Sequence, residues 1–201
     1  MINLIRRDVI LQKWGLLFFI PIILFFIIMD SHPVVTFLVA SLFIPLNAYA
    51  YDEKAETNIL LNSLPYTRTE IIASRYLGAI MYMLISAGIT SLAFILLNKP
   101  FSIRDIAVSS SLFLLFASFT FPMFYIFKSG YIFPVILISF LALAGIGPSV
   151  VMYLAQYLTA VTDMIASLAQ PVLYTGAAIG VIAVYAGSWG FSHVIYQRKA
   201  F

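Results

Sequence analysis

The run YLGAIMYMLISAGITSLAFILLN, residues 76–98, contains no Asp, Glu, Lys or Arg. A helix needs about 20 mostly apolar residues to cross the hydrocarbon of a bilayer. On either side of this run the pattern repeats. Trp14–Met29, Ser31–Tyr51, Ile106–Phe127, Ser129–Thr162 and Met164–Gln197 are equally free of charge. Six such stretches in 201 residues predict an all-α polytopic membrane protein with six transmembrane helices. The whole chain, 1–201, reads as one transmembrane domain with no added soluble domain.

Composition supports that reading. The chain is 63% hydrophobic and 9% charged, whereas a soluble domain carries about a quarter charged residues. Cysteine is absent, which excludes a disulfide framework, a thiolate nucleophile and a cysteine metal site. The net charge of +3 is too small to point to nucleic acid, and no nucleic-acid partner is expected. Arg6, Arg7 and Lys13 ahead of an apolar run resemble the start of a signal peptide, but Asp30-Ser31-His32-Pro33 offers no small-residue cleavage site.

The distribution of charge sets the topology. With the N-terminus inside, nine of the eleven Lys and Arg residues fall on the cytoplasmic side: Arg6, Arg7, Lys13, Lys54, Arg68, Arg75, Lys128, Arg198 and Lys199. Lys99 and Arg104 fall outside. That asymmetry fits the positive-inside rule and predicts a multi-pass protein with both termini cytoplasmic. Residues 1–13 are amphipathic, with Ile2, Ile5 and Val9 on one face, and predict an interfacial helix in contact with membrane lipid. Pro122 predicts a kink in the fourth span. The fifth is expected to end near Gly145-Ile146-Gly147-Pro148. Between Pro148 and Pro171 the polar residues Gln156, Thr159, Asp163, Ser167 and Gln170 oppose an apolar stripe. This external amphipathic segment, 148–170, is expected to lie in or dip into the outer interface.

No chemistry is written into the spans. The sequence has no G-x-x-x-x-G-K-[ST] phosphate loop, no H-E-x-x-H and no G-x-S-x-G. His32 and His193 are expected at opposite faces and cannot share a metal. No catalytic, cofactor-binding or metal-ligating residue is expected. The predicted spans lack the acidic or basic residue that ion-coupled transporters keep within the membrane. An intramembrane enzyme would need a polar catalytic cluster, and none is written here. Gly176, Gly180, Ala183, Gly187 and Gly190 recur at spacings of four and three along the last span. Such a seam lets another helix approach closely in lipid. Intramolecular packing and a subunit interface both fit it.

The informative polar segment is YDEKAETNILLNSLPYTRTEIIASRYL, Tyr51–Leu77. Asp52, Glu53 and Glu56 open it. Ile59, Leu60 and Leu64 form a short apolar element, closed by Pro65 and Tyr66. Thr67-Arg68-Thr69-Glu70 is then a capping box that starts a helix leading into the third span. A short helix, a proline corner and a capped helix joined to a span could act as a lever for a soluble partner. A well-capped loop fits the same residues.

The Asp-Glu-Lys, Leu-Asn-Ser-Leu-Pro, Thr-Arg-x-Glu-Ile-Ile and Ser-Arg-Tyr elements of this segment resemble the membrane subunits of type-2 ABC exporters, closest to a small bacterial six-span group. The resemblance implies that 52–75 holds the coupling helix that docks on a separate ABC ATPase subunit, through Asp52, Glu53, Glu56, Ile59, Leu60, Leu64, Pro65, Tyr66, Thr67, Arg68 and Glu70. It implies that ATP and magnesium belong to that partner, and that 148–170 corresponds to external re-entrant helices. It implies a permease in the cell membrane, paired with a second copy or a homologous permease, exporting an amphipathic or antimicrobial peptide or a lipophilic compound. An energy-independent immunity or channel-like protein is the competing reading. A neighbouring gene for a phosphate-loop ATPase would favour the exporter.

Overall fold

The computed structural model describes residues 13–54, 67–127, 131–157, 167 and 169–198. The expected interfacial helix at the N-terminus, but for Lys13, and the whole short apolar element before Thr67 lie outside these residues. Among the described residues seven α-helices follow in order: α1 Lys13–Ile28, α2 Pro33–Lys54, α3 Arg68–Leu96, α4 Ile103–Ile126, α5 Ile132–Leu141, α6 Gly147–Tyr157 and α7 Gln170–Arg198. No strand occurs among the described residues. Helices close their backbone hydrogen bonds internally, as a lipid solvent requires.

Among the described residues four rods are long and apolar enough to cross a membrane: Arg68–Leu96, Ile103–Ile126, Phe133–Tyr157 and Gln170–Arg198. The apolar parts of α1 and α2, Phe18–Ile28 and Pro33–Asn47, are shorter. The chain is a polytopic membrane protein.

The fifth span departs from expectation. Gly145–Pro148 does not break it. A π stretch, Ala142–Ile146, joins α5 directly to α6. The Gly147 amide donates to the Ala142 carbonyl, five residues back. In an α-helix the Pro148 ring would clash with the carbonyl four residues before it, at Ala144. A widened turn at that point relieves the clash while the helix continues. Residues 148–157 therefore continue the rod of the fifth apolar stretch instead of starting a separate external segment at Pro148. Residues 158–166 lie outside the described part. The fourth span runs through Pro122 as one element. α2 continues past Tyr51 to Lys54, and α3 fuses the capped helix with the third span in one rod of 29 residues.

α1 and α3 end on the same side of the bundle, and α3 starts on the side where α7 ends. At one end the first turn of α3 meets the last turn of α7, where Arg68 bonds the carbonyls of Tyr196 and Gln197. At the other end Lys99 after α3 pairs with Asp30 after α1. Asp30 and Asn98 take positive φ, 53° and 51°, the left-handed geometry that lets a short polar residue end a helix.

α2 packs on α1, α3, α4 and α5, while α7 packs on α3 and α4. One core joins Phe19, Ile23 and Ile27 of α1 to Phe37, Ala40 and Ile44 of α2 and to Tyr82 and Phe94 of α3. Phe37 and Phe94 stack at 5.5 Å. A second core joins Ile72, Tyr76, Ala79 and Met83 of α3, Phe113, Ala117 and Phe121 of α4, and Tyr185 and Tyr196 of α7. Small hydroxyl residues are buried between helices, including Thr36, Ser86, Thr90, Thr120 and Ser192, while Ile103 and Leu96 are 85% and 80% exposed. Large rings fill the two cores, with small hydroxyl residues between them and an apolar surface outside.

Candidate functional site: the junction of α3 and α7

Thr67 and Glu70 build the capping box that the sequence announces. The Thr67 amide donates to Glu70 Oε2 at 2.9 Å, and the Glu70 amide donates to Thr67 Oγ1 at 3.2 Å. Two otherwise orphaned amides are thereby satisfied. Glu70 stands in the polar first turn, ahead of the apolar run. Hydrogen bonds from the Thr67 amide and then the Thr67 hydroxyl hold its carboxyl below the usual carboxylate range.

A fixed helix start aims the next two side chains. Arg68 Nη1 donates to the Gln197 carbonyl at 2.8 Å and the Tyr196 carbonyl at 3.3 Å. These are final carbonyls of α7, which lack N–H donors within their own helix. A cation at this negative end of the helix dipole is favourable. Thr69 Oγ1 lies 2.8 Å from His193 Nε2, which the Gln197 amide also approaches at 3.3 Å.

Two turns deeper, hydroxyls take over from charge. Ser188 Oγ donates to the Ser118 carbonyl of α4 at 2.6 Å. Its single proton is thus used, so Tyr76 donates to Ser188, at 2.9 Å. The phenol proton is then used in turn, so Ser192 donates to Tyr76, at 2.7 Å. Tyr185 adds a bond from its hydroxyl to the Tyr76 carbonyl at 2.9 Å. The Tyr76 ring meets Phe121 and Tyr185 edge-on at 5.2 and 5.1 Å and stacks on Trp189 at 5.9 Å. Edge-on and offset contacts of this kind add about 0.5–1.5 kcal/mol each beyond burial.

Of the residues expected to couple to an ATPase, Thr67, Arg68 and Glu70 meet at this junction. Asp52 and Glu53 lie in the last turn of α2. Glu56, Ile59, Leu60, Leu64, Pro65 and Tyr66 lie outside the described residues. The expected packing seam gives another result. Gly176, Gly180, Ala183 and Gly187 are exposed, and a Cβ built on Gly176, Gly180, Gly187 or Gly190 would meet nothing within 4 Å. The seam packs against no described part of its own chain. Sequence reading missed Tyr76, Tyr185, Ser188, Ser192 and His193 as a group. The available signal was the spacing of Tyr185, Ser188, Ser192 and Tyr196, which places them on one face of α7. No three His, Asp or Glu residues converge among the described residues.

A family described as "ABC-2 family transporter protein" matches residues 3–197, nearly the whole chain. The chain belongs to the ABC-2 transporter family. It is the permease, the membrane component of an ABC transporter, and the family is not itself catalytic. No curated protein and no solved structure matches it. In this ABC-2 permease the junction stands where the polar segment enters the membrane domain.

Proposed function

We propose that this ABC-2 permease is the pathway-forming half of an exporter in the cell membrane. Six spans place both termini in the cytoplasm. Two permeases, identical or homologous, enclose the pathway, and each engages a separate ATPase chain that binds ATP and magnesium. The segment 52–75, with Asp52, Glu53, Glu56, Ile59, Leu60, Leu64, Pro65, Tyr66, Thr67, Arg68 and Glu70, is the docking and coupling element. The substrate is an amphipathic or antimicrobial peptide or a lipophilic compound.

The observation that carries this reading is the capped start of α3. Glu70 and Thr67 fix the helix start inside this segment, and a single rod runs from there into the span. A push on the segment would not be dissipated in a loop. The placement of the helix ends supports an even number of crossings.

The test is co-purification from native membranes. The wild-type chain is expected to retain a phosphate-loop ATPase. Leu60→Asp combined with Leu64→Asp should insert normally and lose that partner, since burying each leucine is worth about 1.5–3 kcal/mol. An ATPase retained at the wild-type ratio by the double variant would overturn the docking assignment. Because the natural chain is free of cysteine, topology can be read with single introduced thiols. Asn98→Cys should react with an impermeant reagent on intact cells, and Arg198→Cys should not.

A further inference from the structure

We propose that Arg68, Thr69 and Tyr76 are positioning residues that fasten the last helix to the start of α3, so that displacement of the coupling segment is delivered to α7. This rests on the coupling role proposed above and names the element that receives the motion.

Three observations converge. The first is Arg68, whose guanidinium holds two terminal carbonyls of α7 from the first turn of α3. It needs no side chain from α7, so it grips the helix axis itself. The second is the Thr69–His193 contact, which adds a grip one residue on. The third is the hydroxyl chain from Ser192 through Tyr76 and Ser188 to the Ser118 carbonyl. These bonds are spaced along the two helices and are of different chemistry. Sliding α3 past α7 would break the exposed charged grip and the buried hydroxyl chain together, and at the depth of that chain lipid offers no water to replace its bonds.

The rest of α7 is not held this way. Its buried residues are Tyr185, Ser192 and Tyr196, all in the half nearest Arg68. The half beginning at Gln170 has no buried residue. α7 is therefore gripped at one end and open at the other. Motion of α3 carries the gripped end, and the open half sweeps with it.

Spin labels test this in the native complex of permease and ATPase. Leu77→Cys on α3 and Val194→Cys on α7 give exposed labelling sites beside the junction. Distances are compared between the nucleotide-free complex and the complex trapped with ATP and vanadate. In the otherwise wild-type chain the distance distribution should be the same in both states. With Arg68→Gln added it should shift on trapping, because α7 is left behind. Arg68→Lys should restore the unshifted distribution, since an ammonium can still cap helix carbonyls. Should Arg68→Gln fail to reach the membrane, Tyr76→Phe, which removes only the hydroxyl, takes its place. A wild-type distance that shifts, or an Arg68→Gln distance that does not, overturns the proposal. A wild-type chain that captures no ATPase overturns the coupling reading itself, and that outcome is visible before any label is attached.

Discussion

The two faces of α7 follow the same spacing and have opposite fates. One carries Gly176, Gly180, Ala183, Gly187 and Gly190 and is open. The other carries Tyr185, Ser188, Trp189, Ser192 and Tyr196 and is packed against α3 and α4. Small residues invite close approach of helices in lipid. Within this protomer, however, the packed face is the one with large rings and hydroxyls. Hydroxyls find partners across the interface, and rings fill the space between rods that stand farther apart. The open glycine face is free for a second permease, which is the assembly proposed above.

That contrast can be broken most forcefully at the packed face. Tyr76→Ala removes three ring contacts and the centre of the hydroxyl chain. Truncating a buried aromatic costs about 3–5 kcal/mol. Folded yield and melting temperature in detergent should both fall sharply; an unchanged melt would mean that α7 is held by something else.

The glycine face should respond differently. Gly180→Leu and Gly187→Leu place a side chain in open space of the single chain, so monomer melting should stay at the wild-type value. If a second permease packs there, overpacking should weaken self-association by about 1–3 kcal/mol. Crosslinking yield or the dimer fraction measured in lipid would report it. Unchanged association in both variants would assign this face to lipid.

The smallest expected effect sharpens the comparison at its origin. Thr67→Ala removes the cap that aims Arg68, at a cost of about 1 kcal/mol. Amides in the first turn of α3 should exchange faster with solvent, and those in the last turn of α7 should follow. If the α7 amides keep their protection, Arg68 does not depend on the cap.

How much of this could be read from sequence follows from the range of each interaction. The Thr67–Glu70 box spans three residues and is legible as a pattern. The same pattern at Ser102–Asp105 forms an equal box at the start of α4 and went unread. The apolar runs located the apolar helices, four of them among the described residues long enough to cross, since a helix in lipid must satisfy itself. Arg68 and Gln197 lie 129 residues apart; no local pattern announces that one caps the other. Glycine spacing pointed to packing without saying whose helix would come. Pro148 read as a break because proline ends helices in water, whereas in a membrane rod a widened turn costs less than exposing free carbonyls.

That widened turn at Ala142–Ile146 makes the fifth rod one residue longer than its height requires. A span is matched to bilayer thickness by rise per residue, about 1.5 Å in an α-helix. Removing one residue from the π stretch would restore ordinary winding there while leaving the faces of α5 and α6 in their present orientation. Removing one residue from mid-α3 would turn everything beyond it by about 100°, parting Phe94 from Phe37. Length variation among related chains should therefore collect at this stretch, the place in the rod where an insertion or deletion leaves both flanking faces where they were.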